Sequence, residues 1–177
     1  MSDQDQATEA ATAEAGGTQF SVLAQYVKDL SFENPHAPQS LQGTDAEGNP
    51  IKPNIDVSVD IQARRGSETQ YEVTLSLRVD ARDSDGKALF VAELEYAGLF
   101  HITGVPDESI QLVLLVECPR LLFPFARQIV ADVTRNGGFT PIMLDPMDFA
   151  GLYRARLEQA AKEQQAASID DPAAGNA

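Results

Sequence analysis

Apolar and polar residues alternate with a period of two through four stretches of this chain, the period of a half-buried β-strand. In the first, Phe20, Val22, Ala24, Tyr26, Leu30 and Phe32 hold the even positions, and only Lys28 interrupts them. The odd positions end in Asp29, Ser31 and Glu33, which places both acids on the opposite face. The strand stops at N-P-H-A-P, where Pro35 and Pro38 enforce a turn. Residues 39–54 read as a loop from Gly43, Gly48, Asn49, Pro50 and Pro53. Ile55, Val57, Val59 and Ile61 then alternate with Asp56, Ser58 and Asp60, and Arg64-Arg65-Gly66 turns the chain. Tyr71, Val73, Leu75, Leu77, Val79 and Ala81 form the most regular strand, closed by Asp83-Ser84-Asp85-Gly86 as a hairpin turn. The returning strand, Ala88 to about Ile102, sets Phe90, Ala92, Leu94, Tyr96 and Phe100 against Val91, Glu93 and Glu95.

After Pro106 the character changes. Pro106 with Asp107 and Glu108 suits a helix start, although Ile110 to Val116 is strongly apolar and β-branched. Glu117 to Phe149 then carries Pro119, Pro124, Pro141 and Pro146 and four of the eight phenylalanines. Proline spacing of this kind predicts a backbone that is held extended or breaks repeatedly. Within it, Leu121 to Arg135 reads as a helix with a glycine stop at Gly137-Gly138. Asp145 as cap, Pro146 in the first turn and Asp148 three residues on open a last helix, whose stripe is Phe149, Leu152, Tyr153, Leu157 and Ala160. That helix fades near Gln165. Four strands followed by helices predict an α+β fold: a four-stranded antiparallel sheet with helices packed on one face. One domain is expected over 19–165, between disordered tails at 1–18 and 166–177.

Charge changes this picture by excluding partners. The net charge is −14. Four acids and no base in residues 1–19, and four acids against one base in 158–177, leave −7 for the body of the chain. Nucleic acid and an anionic bilayer would be repelled, whereas a basic partner would be attracted. The start lacks the basic and apolar regions of a signal peptide, and no apolar run approaches the roughly 18 residues of a membrane span. A lone Cys118 agrees with a reducing compartment, so a cytoplasmic protein is expected.

Catalytic chemistry finds little support. There is no G-x-S-x-G elbow, and Cys118 between Glu117 and Pro119 reads as a packing residue. His36 and His101 are unrelated in sequence, and one cysteine with two distant histidines does not make a zinc site. Neither glycine pair has the further glycines and lysine of a phosphate cradle. Glu93 and Glu95 lie about 7 Å apart on one strand face, and solvated neighbours explain them better than acid/base work. No metal and no cofactor is expected.

Three motifs carry a specific resemblance. Y-V-K-D-L-S-F-E-N-P-H-A-P (Tyr26 to Pro38), E-C-P-R-L-L-F-P-F-A-R (Glu117 to Arg127) and G-G-F-T-P-I-M-L-D-P-M-D-F (Gly137 to Phe149) resemble, in order, the opening strand, the C-P-x-x-L-F-P segment and the final crossing of the SecB family of bacterial protein-export chaperones. The resemblance covers about residues 20–160. It implies a dimer of dimers that binds unfolded precursor proteins in apolar grooves without ATP and passes them to the translocase motor SecA. It further implies a SecA-docking surface of Asp29, Glu33, Val91 and Glu93. A client-binding groove is expected from Phe123, Phe125, Phe139, Ile142, Met143 and Leu144, with Leu152 and Tyr153 as neighbours; each is alternatively subunit or tetramer core. Methionines and aromatics suit promiscuous recognition because they repack around different side chains. Family members often carry a tryptophan after the first strand, whereas Gly43 to Pro53 here holds no aromatic.

Two other readings stay open at this point. A chaperone of the same fold dedicated to one client, such as an antitoxin, would resist competition by unrelated unfolded proteins. An enzyme of hotdog-like α+β build, for instance a thioesterase, would depend on a lone carboxylate such as Glu93 and lose turnover in Glu93→Gln.

Overall fold

A computed structural model of the chain describes residues 17–44, 48 and 52–169. Most of the expected N-terminal tail (residues 1–16), part of the first loop and residues 170–177 lie outside the described residues. Strands β1 (Gln19–Glu33), β2 (Asn54–Arg65), β3 (Gln70–Arg82) and β4 (Ala88–Thr103) form one antiparallel sheet in the order β1-β4-β3-β2. Period-two alternation in β3 and β4 gives the sheet an apolar inner face: Val73, Leu75, Leu77 and Val79 of β3, with Ala92, Leu94 and Phe100 of β4, are nearly sealed from solvent. Helices α1 (Asp107–Leu112), α2 (Cys118–Asn136) and α3 (Phe149–Ile169) follow. Leu122, Phe123, Ala126 and Val130 of α2 close the core over that face. The fold is α+β. Turn chemistry agrees with its residues: the Asp83 carboxylate accepts from the amides of Asp85 (3.0 Å) and Lys87 (2.8 Å), and Gly86 takes φ +81°.

Local expectations are corrected in three places. The helix expected over Leu121–Arg135 is present within α2 and contains Pro124, but Pro119 does not break the chain before it, because α1 and α2 run on through a π-helical turn at Val113–Glu117. A proline clashes with the carbonyl four residues before it in a regular helix. The wider turn, in which the Cys118 amide reaches back to the Val113 carbonyl, relieves that clash just before Pro119. Pro124 lies on an exposed part of α2, where water can satisfy the carbonyl left free. By length and composition Asp107–Asn136 is apolar enough to cross a bilayer, contrary to the expectation from the sequence. Its residues Leu114, Val116, Leu122, Phe123 and Val130 are instead turned into the core.

The second correction concerns β1. Its even residues do not share one face, because the pairing with β4 slips between Val22 and Ala24 and again between Val27 and Asp29. Each bulge inserts one unpaired residue and reverses the alternation. Ala24 and Tyr26 therefore oppose Leu99 and Ala97 on the outer face, while Val27 opposes Tyr96 on the inner one. The second bulge restores the phase, so Asp29, Ser31 and Glu33 stand on the outer face as expected. Tyr26 and Lys28 hold this arrangement through Glu72 of β3, at 2.5 Å and 3.1 Å. The Tyr26 hydrogen bond, followed by Lys28, keeps the Glu72 carboxyl below its ordinary value, and Glu72 in turn raises the Tyr26 phenol.

The third is the start of α3. Asp148, not Asp145, caps it: its carboxylate accepts from the Gly151 amide at 2.9 Å, and its carbonyl accepts from Leu152 at 3.0 Å. The helix continues to Ile169, past the expected end. Cys118 is fully buried, and burial first, then Glu117, pushes its thiol up to about 12. It is a neutral packing group.

Candidate functional site

The outer face of the sheet is built by the register. Three cross-strand rows lie side by side: Glu33–Val91–Asp80–Asp56, Ser31–Glu93–Arg78–Ser58 and Asp29–Glu95–Ser76–Asp60. Directly opposed residues on one face stand about 4.5–5.5 Å apart at Cα, so Asp29, Glu33, Val91 and Glu93 share one patch. A depression of 320 Å³ opens there between Asp29, Glu93, Glu95, Ser58, Asp60 and Arg78. Glu93 forms an ion pair with Arg78, whose guanidinium also reaches Asp80 at 3.4 Å. Arg82 holds Asp80 from the other side at 2.9 Å and is the main reason its carboxyl sits below the ordinary value. Among the described residues Asp29, Glu33 and Glu95 have no ion-pair partner. The patch is thus anionic with one internal cation at its centre.

Glu95 and Arg78 are among the residues of this patch that the sequence does not assign to it. Glu95 was visible two residues from Glu93, but only the register shows that it faces Asp29. Arg78 is 15 residues from Glu93 in the chain and becomes its neighbour through the β3–β4 hairpin. No motif signals it.

The inner side carries two apolar hollows. The first, 570 Å³, lies where the crossing after α2 passes over the start of β2. Leu41, Pro53, Ile55, Leu89, Phe90, Phe139, Ile142 and Met143 line it. Phe139 is fixed by ring contacts with Phe90 (4.6 Å) and Phe32 (6.4 Å). Gly138, at φ +89°, makes the turn that leads the chain off the helix end. Thr134, fully buried, ties the crossing down: its hydroxyl donates to the Val130 carbonyl (2.9 Å) and accepts from the Ile142 amide (3.1 Å). Thr134→Val keeps the shape but leaves that amide without a partner. It is expected to cost about 1–3 kcal/mol, read as a lower urea midpoint, together with faster hydrogen exchange at Ile142. An unchanged midpoint and exchange rate would show that the hydroxyl does not hold the wall.

The second hollow, 790 Å³, lies between the end of β2, the helices after Pro106 and α3. Ile61, Ala63, Tyr71, Ile110, Leu114, Leu115, Tyr153 and Leu157 give it an apolar lining, with Arg64, Arg65, Asp107 and Arg156 among its polar residues. A 260 Å³ depression beside it adds Val59 and Leu152. Arg156 fastens α3 to β2 by donating to the Ile61 carbonyl at 3.1 Å. Ile55 of the first hollow and Ile61 of the second are six positions apart on β2, roughly 20 Å at the rise of an extended strand.

The expected groove residues divide accordingly. Phe139, Ile142 and Met143 meet in the first hollow, and Leu152 and Tyr153 belong to the second. Phe123 (7% exposed) and Leu144 (6%) sit within the core, Phe123 edge-on to Phe149 at 5.9 Å. Phe125, 49% exposed, lies over Tyr96 at 6.3 Å and lines neither hollow. Leu41, Ile55 and Leu89 join the first hollow without having been foreseen, since nothing local distinguishes them from ordinary core or loop residues. Among the described residues no three His, Cys, Asp or Glu side chains are placed to hold a metal ion.

With that geometry in hand, comparison with known proteins gives concordant findings. Residues 13–160 match the family described as preprotein translocase subunit SecB. The chain is 54% identical to the protein-export protein SecB of Parvibaculum lavamentivorans, over 80% of this chain and 81% of that one. It is 50% identical to that of Maricaulis maris over 96% of each, and 49% identical to that of Xanthobacter autotrophicus over 88% of this chain and 99% of the relative. Among solved structures, a SecB-like chaperone of Mycobacterium tuberculosis, in complex with a ChAD peptide from the HigA1 antitoxin, superposes with a TM-score of 0.54. That match has 16% identity and covers 73% of this chain and 91% of the other, a likeness of fold.

Proposed function

This chain belongs to the SecB family, and we propose that it is the export chaperone its relatives' names describe, holding unfolded precursors in the two apolar hollows and presenting the anionic sheet face to the motor SecA. The observation that carries this is the segregation of the two surfaces: open apolar hollows on the helix side, unpaired carboxylates on the other. An extended client segment of about six residues spans the roughly 20 Å between hollows. Several weak apolar contacts along one chain then add through effective concentration. Folded proteins hide such segments. Holding of this kind needs no nucleotide.

The groove is made of Phe139, Ile142 and Met143 at one end and Leu152 and Tyr153 at the other, while Phe123 and Leu144 belong to the core and Phe125 to the outer helix face. Asp29, Glu33, Val91 and Glu93 form the SecA-docking set: three acids for a basic element and one aliphatic for its apolar flank. The chain works in the cytoplasm as a dimer of dimers. Two separate apolar surfaces support that assembly. One is the edge strand β1, with Phe20, Val22, Leu23, Val27 and Leu30 each 39–49% exposed; the other is the outer helix face with Leu112, Leu121 and Phe125 at 42–49%. An uncovered apolar edge strand invites pairing, and two distinct surfaces give the two interfaces such symmetry needs.

The test mixes the protein with a slow-folding precursor, with the same protein folded, and with several unrelated unfolded competitors. Binding to the unfolded form alone, reduced by every competitor, is the expected result. Equal binding to folded and unfolded forms would end the proposal. Retention of one client against all competitors would favour the single-client chaperone instead.

A further inference from the structure

The anionic patch contains its own competitor. Arg78 rises from β3 at the middle of the three rows, directly opposite Glu93, and its guanidinium pairs with Glu93 and reaches Asp80. Both side chains of the Arg78–Glu93 pair remain nearly half exposed, at 46% and 47%. A pair so open to water adds little to folding, and Asp80 keeps Arg82 as a partner without it. Glu93 has no other cation among the described residues. The effect of Arg78 therefore falls chiefly on one acid of the docking set, Glu93.

We propose that Arg78 is an affinity-setting residue of this face, an internal cation that occupies Glu93 in the free protein and must be displaced when a basic partner element binds. The inference rests on the docking role proposed above and adds its regulation: the bond is an exchange of one guanidinium for another cation rather than capture of a free carboxylate. Exchange keeps the complex weak enough to release. It also makes affinity depend on salt in two ways, since ions screen both the internal pair and the incoming one.

The experiment measures binding of purified SecA to the full-length protein at low and high ionic strength for wild type, Arg78→Gln, Glu93→Gln and the double variant. Arg78→Gln is expected to tighten binding roughly three- to tenfold at low salt, with the gain shrinking toward none near 1 M, where screening reaches about 3 Å. In the Glu93→Gln background, removal of Arg78 is expected to change affinity less than twofold, because the cycle isolates the pair from a general charge effect. Retention of unfolded client and the thermal midpoint serve as controls and are expected to stay unchanged. If Glu93→Gln weakens binding but Arg78→Gln leaves it equal or weaker, the exchange idea is overturned while the docking face stands. If Arg78→Gln tightens binding equally in both backgrounds, Arg78 acts as bulk charge and the idea is overturned as well. If neither single variant changes SecA binding, the docking reading itself falls.

Discussion

Glu93→Lys is expected to lower SecA affinity at least tenfold at low ionic strength and to leave the hold on unfolded clients unchanged. The substitution changes the centre of the patch by two charges. It also removes the partner that Arg78 has in Glu93, leaving it only the shared Asp80 carboxylate, so that two cations stand between Asp29–Glu95 and Glu33–Val91. Like charges placed against a basic partner oppose both encounter and docking. The apolar hollows proposed to hold clients are lined from the opposite face of the sheet and from the helices, so they do not feel the change sterically. Titration of labelled SecA against wild type and variant at two salt concentrations checks the result. Equal affinities at low salt would remove Glu93 from the docking set.

Phe149→Ala is expected to cost about 3–5 kcal/mol of stability, the range for truncating a buried aromatic whose cavity does not collapse. Phe149 is 1% exposed, packs edge-on to Phe123, and is the first residue of α3. Its loss loosens the helix that supplies Tyr153 and Arg156 to the second hollow and Leu152 to the depression beside it. Client retention should therefore weaken along with the urea midpoint, measured at one fixed protein concentration because assembly adds to apparent stability. Phe149→Leu fills most of the space and should lose well under half as much. If alanine and leucine variants unfold together with wild type, Phe149 does not anchor α3.

The strands were legible because apolar and polar residues alternate along most of each, and the returning strand's Glu93 and Glu95 showed which face stays wet. The helix from Leu121 to Arg135 was legible as well, but its continuation back through Pro119 into α1 was not, since proline argues locally against helix and only burial of Leu122, Phe123 and Val130 on the sheet outweighs it. In β1 the even-position pattern was regular in the chain but not in space: the two bulges exist only as mismatches with β4. The acids Asp29 and Glu33 were assigned to the correct face because they follow the second bulge. Of the expected groove residues, Phe139, Ile142 and Met143 share a hollow, but Phe123 and Leu144 look the same in sequence and end up inside. Aromatic and aliphatic residues on a proline-rich segment do not record which of them water can reach.

Residue type and spacing alone determined the four strands, the anionic surplus, the lack of catalytic spacing and, through three motifs, the family. These properties are local, so a linear chain carries them in full. Only the tertiary structure decided that Glu95 faces Asp29, that Arg78 neutralises Glu93, and that the apolar lining splits into two hollows along β2. Those facts depend on register between strands that are distant in the chain, and a single residue of slip would send every one of those side chains to the other face.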